Sequence, residues 1–262
     1  MLELVDTHCH LNHEKFAGDW AEVYNRAEAA GVSRFLCIGY DKGSGRRAAE
    51  LAAEHTAIYA AAGIHPEAAD EWSANLAAEL AVLFAARPDK MTAYGEIGLD
   101  YHWDTVPQKR QQEVFAAQIA FALSLRPARP LPLIIHNRDA LADVLALLKS
   151  SGTPAPIVMH CFTGDTETAR QCLDAGCYLG IGGVATFKKS GAVRDAVAYA
   201  PLERLLLETD CPYLAPQFKR GRRNEPSYLP AIAETVAAAK GLSLEEVAAA
   251  TTRAAKALFR MV

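Results

Sequence analysis

Eight short apolar runs, each followed by an Ala- and Leu-rich stretch with helical spacing, divide this 262-residue chain from end to end. The runs are residues 4–9, 35–39, 58–64, 92–98, 131–136, 156–160, 177–181 and 205–209. The helical stretches are about 17–30, 44–55, 73–86, 107–125, 138–150, 165–175, 190–199, 227–240 and 244–260. Apolar runs without clean in–out alternation predict parallel strands buried on both faces. Punctuation agrees with these boundaries. Gly31, Gly176 and Gly241 stand where a left-handed glycine closes a helix. Asp165 and Ser243 suit N-caps, Glu246 completes a capping box after Ser243, and Pro107 suits a first turn. The expected fold class is α/β, with 1–262 forming a single closed (β/α)8 TIM barrel. An open doubly wound sheet is the alternative, but it cannot converge six strand ends on one point, as a ring does.

Those strand ends carry the chemistry. His8 and His10, two apart on a strand, share a face, whereas Cys9 points the opposite way and is expected to pack. Further runs end in His65, Glu96, His136, His160 and Asp210. In a closed ring, strands one and eight are neighbours, so His8, His10 and Asp210 would hold one ion. His136 and His160, from adjacent strands, would hold a second, and Glu96 is the natural bridge, because a carboxylate can span two ions. Five polar ligands (His8, His10, His136, His160 and Asp210) and Glu96 buried without partners would be costly, which argues against the bland reading of each as a core group. His65 is expected to face substrate, binding a phosphate oxygen or donating a proton to the leaving group. Glu208, two residues before Asp210, is expected to face the same way and to orient ligands. Asp210 is also a candidate base. His13 and His55 read as surface residues, and His102 as a residue whose role the sequence leaves open. Gly180-Ile181-Gly182-Gly183 lacks dinucleotide-binding spacing.

Hydrophobic residues make up 51% of the chain and charged residues 22%, an ordinary globular balance. No basic leader with an apolar core and no membrane-length apolar run is apparent, so a cytoplasmic, monomeric protein is expected. The six cysteines contain no C-x-x-C pair and read as reduced thiols rather than a disulfide framework. A net charge of −4 argues against a broad non-specific nucleic-acid surface. It leaves room for a polyanion gripped locally, and Arg220, Arg222 and Arg223 in the loop 211–226 are the candidate phosphate contacts.

The motifs Val5-Asp6-Thr7-His8-Cys9-His10, Gly63-Ile64-His65-Pro66, Gly95-Glu96-Ile97-Gly98-Leu99-Asp100-Tyr101 and Ile135-His136-Asn137-Arg138-Asp139-Ala140 are joined by three more. These are His160-Cys161-Phe162-Thr163-Gly164, Glu208-Thr209-Asp210-Cys211-Pro212-Tyr213-Leu214 and Arg222-Arg223-Asn224-Glu225-Pro226. With them the chain resembles, over essentially its whole length, the TatD family of metal-dependent deoxyribonucleases in the amidohydrolase-like superfamily. The resemblance implies a phosphodiesterase with two divalent ions (Mg2+, Mn2+ or Zn2+) that removes nucleotides from 3′ ends of single-stranded or damaged DNA, RNA remaining open. It implies His8, His10, Glu96 and Asp210 around one ion, and Glu96, His136 and His160 around the other. Asn137 stands where the family often has serine, and prolines crowd the segment before strand five. The nearest alternative is a zinc-dependent amidohydrolase or lactonase on the same barrel. Many such sites use a bridging lysine, and no ligand-bearing run here ends in one. A non-catalytic metal-binding protein would most simply have lost a ligand, and none is missing.

Overall fold

The computed structural model describes residues 2–262. Its first half runs β1 (Leu4–Cys9), α1 (Trp20–Ala29), β2 (Val32–Gly39), α2 (Lys42–Glu54), β3 (Ile58–Ala62), α3 (Ala74–Ala86), β4 (Met91–Asp100) and α4 (Gln108–Leu125). The second runs β5 (Leu133–Arg138), α5 (Leu141–Ser151), β6 (Ile157–Met159), α6 (Thr166–Asp174), β7 (Tyr178–Ile181), α7 (Gly191–Tyr199), β8 (Leu205–Leu207), α8 (Leu229–Lys240) and α9 (Leu244–Phe259). The strands make one sheet whose order follows the chain, β1 to β8. The β1/β2, β3/β4, β4/β5, β5/β6 and β7/β8 pairs are parallel. The first and last strands of that order are also neighbours. Thr7 Oγ1 donates to Leu207 O at 3.0 Å, and Asp210 N to His8 O at 2.8 Å. This is the connectivity of the (β/α)8 barrel class.

Burial follows from that architecture. All six residues of β1 and all ten of β4 are buried, as parallel strands covered on both faces must be. Gly31, Gly176 and Gly241 take positive φ at helix ends, the conformation that an L side chain resists. Asp165 and Ser243 cap their helices as expected, and Ser243 forms its capping box with Glu246. A second box, Asp41 with Ser44, opens α2. Among the described residues no disulfide joins the six cysteines. Cys9 is fully buried, with Sγ toward Leu36 O at 3.4 Å, and burial pushes its thiol well above the ordinary value. It packs, as alternation predicts.

The described chain divides into two compact units. One runs to Cys37 and resumes at Cys161 through Val262. Within it, α9 lies against β1 and β8. Arg26 reaches Glu225 at 2.6 Å, tying α1 to the loop before α8. The other unit is Ile38–His160. Its core includes Tyr94 of β4, whose ring meets Phe84 and Phe121 at 5.7 and 5.8 Å and whose hydroxyl donates to Gln118 at 3.0 Å. Gln118 also holds both backbone groups of Ile64 at 2.9 Å, which fixes the chain just before His65. Among the described residues no helix is long and apolar enough to cross a membrane.

Candidate metal centre

In the unit holding β1 and β8, three ligating side chains converge. The His8 and His10 rings lie 5.0 Å apart edge to face, on the shared side expected of positions two apart. Asp210 Oδ1 is 3.7 Å from His8 Nε2 and 3.3 Å from His10 Nε2. Asp210 arrives there differently from expectation. Strand β8 stops at Leu207, so Asp210 belongs to the following loop and sits in the left-handed region at φ 57°. Asp6 anchors that loop: its carboxylate accepts Thr209 N–H at 3.0 Å and Thr209 Oγ1–H at 2.6 Å. Burial pushes the Asp6 carboxyl up to about 7, against those hydrogen bonds.

Glu208 also leaves the strand before the predicted boundary. It is fully buried and accepts Cys161 N–H at 2.5 Å, which pins the backbone at the residue following His160. Glycine is required opposite it, because a Cβ at Gly180 would collide with the Glu208 carboxylate. Gly180, within the glycine run 180–183, therefore makes room for a carboxylate. Two further residues fix this loop: Asn224, fully buried, donates to Thr209 O and Tyr213 O at 2.7 Å each, and Arg223 is paired with Asp19 at 2.5 Å.

The second unit gathers the other predicted ligands. Glu96 Oε1 lies 2.7 Å from His160 Nε2, 3.0 Å from His136 Nδ1 and 3.6 Å from His65 Nε2. His136 Nδ1 and His160 Nε2 are 3.3 Å apart. Donors sharing an ion at roughly 2.1 Å stand about 3.0–3.4 Å from one another, so both clusters have the spacing, as well as the imidazole and carboxylate chemistry, of a divalent-metal site. Among the described residues, His8–His10–Asp210 and His65–Glu96–His136 are both groups able to hold an ion.

The second unit adds a residue the sequence reading passed over. Asp100, buried at the end of β4, places Oδ2 2.9 Å from His136 Nε2. Burial alone would raise its carboxyl, but the His136 hydrogen bond and backbone N–H groups outweigh it and hold it at about 2. Burial likewise works to lower His136, and the bonds to Asp100 and Glu96 carry it to about 9. His65 goes the other way. Burial takes it down to about 3, so it is neutral, and its Nδ1 accepts Glu67 N–H at 3.2 Å. The hydrogen then sits on Nε2, which suits His65 to hydrogen bonding rather than to proton donation.

The remaining candidates divide. Arg220 and Arg222 are exposed, with Arg220 stacked over Phe187 at 4.5 Å. Arg223 is occupied by Asp19, donates to Lys15 O at 2.6 Å and covers the Phe16 ring. His102 is partly exposed and faces Asp139 at 3.4 Å. His13 and His55 are half-buried and serve as helix-end residues.

The TatD related DNase family model matches residues 5–260. The uncharacterized metal-dependent hydrolase YabD of Bacillus subtilis is 46% identical over 259 residues, covering 98% of this chain and 99% of its own. The 3′-5′ ssDNA/RNA exonuclease TatD of Klebsiella pneumoniae is 36% identical over 262 residues, covering 98% and 97%. Among solved structures, YJJV, a TatD homolog from Escherichia coli K12, superposes with a TM-score of 0.92 at 30% identity, covering 99% of this chain and 98% of that one. With the ligand clusters in place and this likeness running through nearly its whole length, the chain belongs to the TatD related DNase family and is a TatD-type metal-dependent hydrolase on a (β/α)8 barrel.

Proposed function

We propose that this chain is a phosphodiesterase that removes nucleotides from the 3′ ends of single-stranded or damaged DNA, with RNA a second candidate substrate. Its two divalent ions would be held by His8, His10 and Asp210 and by His136 and His160, with Glu96 the shared carboxylate. Such ions lower the pKa of water and neutralise charge on phosphate oxygens. Asp210, its carboxylate only partly exposed, takes the proton from the attacking water. His65 offers Nε2–H to a phosphate oxygen. Glu208 holds the backbone at Cys161 and orients its surroundings.

One observation carries the nucleic-acid reading over the amide or lactone alternative: an exposed aromatic ring with a cation over it stands beside His10, and another closely follows Asp100 in the chain. Tyr213, 41% exposed, lies 5.9 Å from the His10 ring, with Lys15 Nζ 5.4 Å above it. Trp103, 51% exposed, follows Asp100, and the Arg138 guanidinium lies 5.3 Å over its ring. Aromatic faces for bases beside cations for phosphates are what single-strand binding needs, and carbonyl substrates need neither. The test is digestion of 3′- and 5′-labelled DNA and RNA by protein reconstituted with Mg2+, Mn2+ or Zn2+, beside a panel of lactones and amides. A ladder shortening from the 3′ end is expected. Turnover confined to the lactones or amides would refute the proposal.

The exposed arginines give a second expectation. Arg220→Ala and Arg222→Ala should each raise KM for DNA and reduce the slope of log affinity against log salt by about 1. Arg223→Ala should act otherwise, lowering thermal stability by removing the Asp19 pair. Unchanged slopes for both exposed variants would return those residues to the role of a solvated loop.

A further inference from the structure

We propose that Asp100 is a positioning residue that fixes the tautomer of His136, keeping hydrogen on Nε2 so that Nδ1 presents its lone pair to the ligand cluster. The inference rests on the metal-dependent reading of that cluster. Both oxygens of Asp100 are in use. Oδ1 accepts the backbone N–H groups of His102 and Trp103 at 3.0 and 3.2 Å, and Oδ2 faces His136 Nε2 at 2.9 Å. The backbone of Asp100 is clamped as well. Gln111, buried on α4, accepts Asp100 N–H at 2.8 Å and donates to Asp100 O at 2.8 Å and Val106 O at 2.9 Å. The carboxylate is thus an acceptor that cannot swing away.

Binding a cation costs His136 one of the two ring hydrogens it carries as an imidazolium, and the neutral ring keeps one. An immovable acceptor at Nε2 draws it there and leaves Nδ1 as the donor atom. Nδ1 is the nitrogen that lies 3.0 Å from Glu96 Oε1 and 3.3 Å from His160 Nε2, where a cation shared with those atoms would sit. Carboxylates that hold a ligating histidine by its far nitrogen set both ring orientation and donor strength.

Asp100→Asn separates this role from simple packing. The amide has one oxygen. If it stays on the His102 and Trp103 N–H groups, the NH2 faces Nε2, donates to it and drives the ring hydrogen onto Nδ1. If the amide flips, the NH2 confronts two backbone donors. Mn2+ titrated calorimetrically into metal-free protein should show two classes of site in the wild type. In Asp100→Asn one class should weaken by about 10–100-fold while the other is unchanged. The same substitution placed in a His136→Ala background should add nothing further. Wild-type affinity at both classes, or equal weakening of both, would overturn the proposal. Ring 15N resonances of zinc-loaded wild-type protein give a check that needs no variant: hydrogen on Nε2 of His136 is expected, and hydrogen on Nδ1 would overturn it. A wild type that hydrolyses substrate without binding any divalent ion would instead remove the metal reading beneath it.

Discussion

Glu96→Ala should abolish hydrolysis, with a loss on the order of a thousandfold or more in kcat/KM, and should lower the metal retained per chain. The reason is local and electrostatic. Glu96 is buried, and its Oε1 lies within 3.6 Å of all three imidazoles His65, His136 and His160. Removing it takes away the carboxylate oxygen that these three ring edges share. Glu96→Gln keeps the volume and one acceptor oxygen, so it should fold like the wild type yet share most of the loss. That comparison distinguishes charge from packing. Metal content by mass spectrometry after gel filtration, read beside kinetics, checks both variants. A Glu96→Ala protein that retains wild-type metal and turnover would show that the cluster is structural.

Gly98→Ala should be the most damaging small substitution in the same unit. Gly98 is opposite His136 in the β4/β5 register and has φ 145°, outside the range L residues adopt easily. A Cβ built there would run into the His136 carbonyl oxygen and come within 2.9 Å of its carbon. The backbone atoms cannot yield, so the strand must move away from the residue that presents His136. About 3 kcal/mol or more of stability should be lost, roughly 10 °C in Tm, together with hydrolysis. Gly152→Ala is the matched control. Gly152 also has positive φ, at 58°, but nothing stands within 4 Å of its missing Cβ. It should cost about 1 kcal/mol and leave catalysis unaffected. Equal melting temperatures for the two variants would contradict the close-approach argument.

The alternation of apolar runs with helical stretches was legible because parallel strands covered on both faces impose it on the sequence, and glycine and capping residues mark the ends. What escaped lay where chemistry departs from that pattern. Strand β2 begins at Val32, three residues before the apolar run at 35, because Ser33 and Arg34 are polar yet bonded to Leu4 O and Val262 O. Strand β8 ends at Leu207, so a loop in left-handed conformation, rather than strand alternation, presents Asp210. Asp100 was hidden by ending the fourth run at 98. Continued two residues further, period-two counting from Glu96 places Asp100 on the same face, which is the signal that could have found it. Arg223 looked like a free cation because its partner, Asp19, is 204 residues away in the chain. The convergence of the histidines was readable because positions two apart on a strand share a face and residues closing parallel strands gather at one end of the barrel.

The account stands on divalent ions seated in these clusters, and anomalous diffraction from a crystal grown in manganese measures that directly. A peak bounded by His8, His10 and Asp210, with another bounded by Glu96, His136 and His160, is the predicted result. A map with no anomalous density at either cluster, from protein that still hydrolyses its substrate, would contradict it.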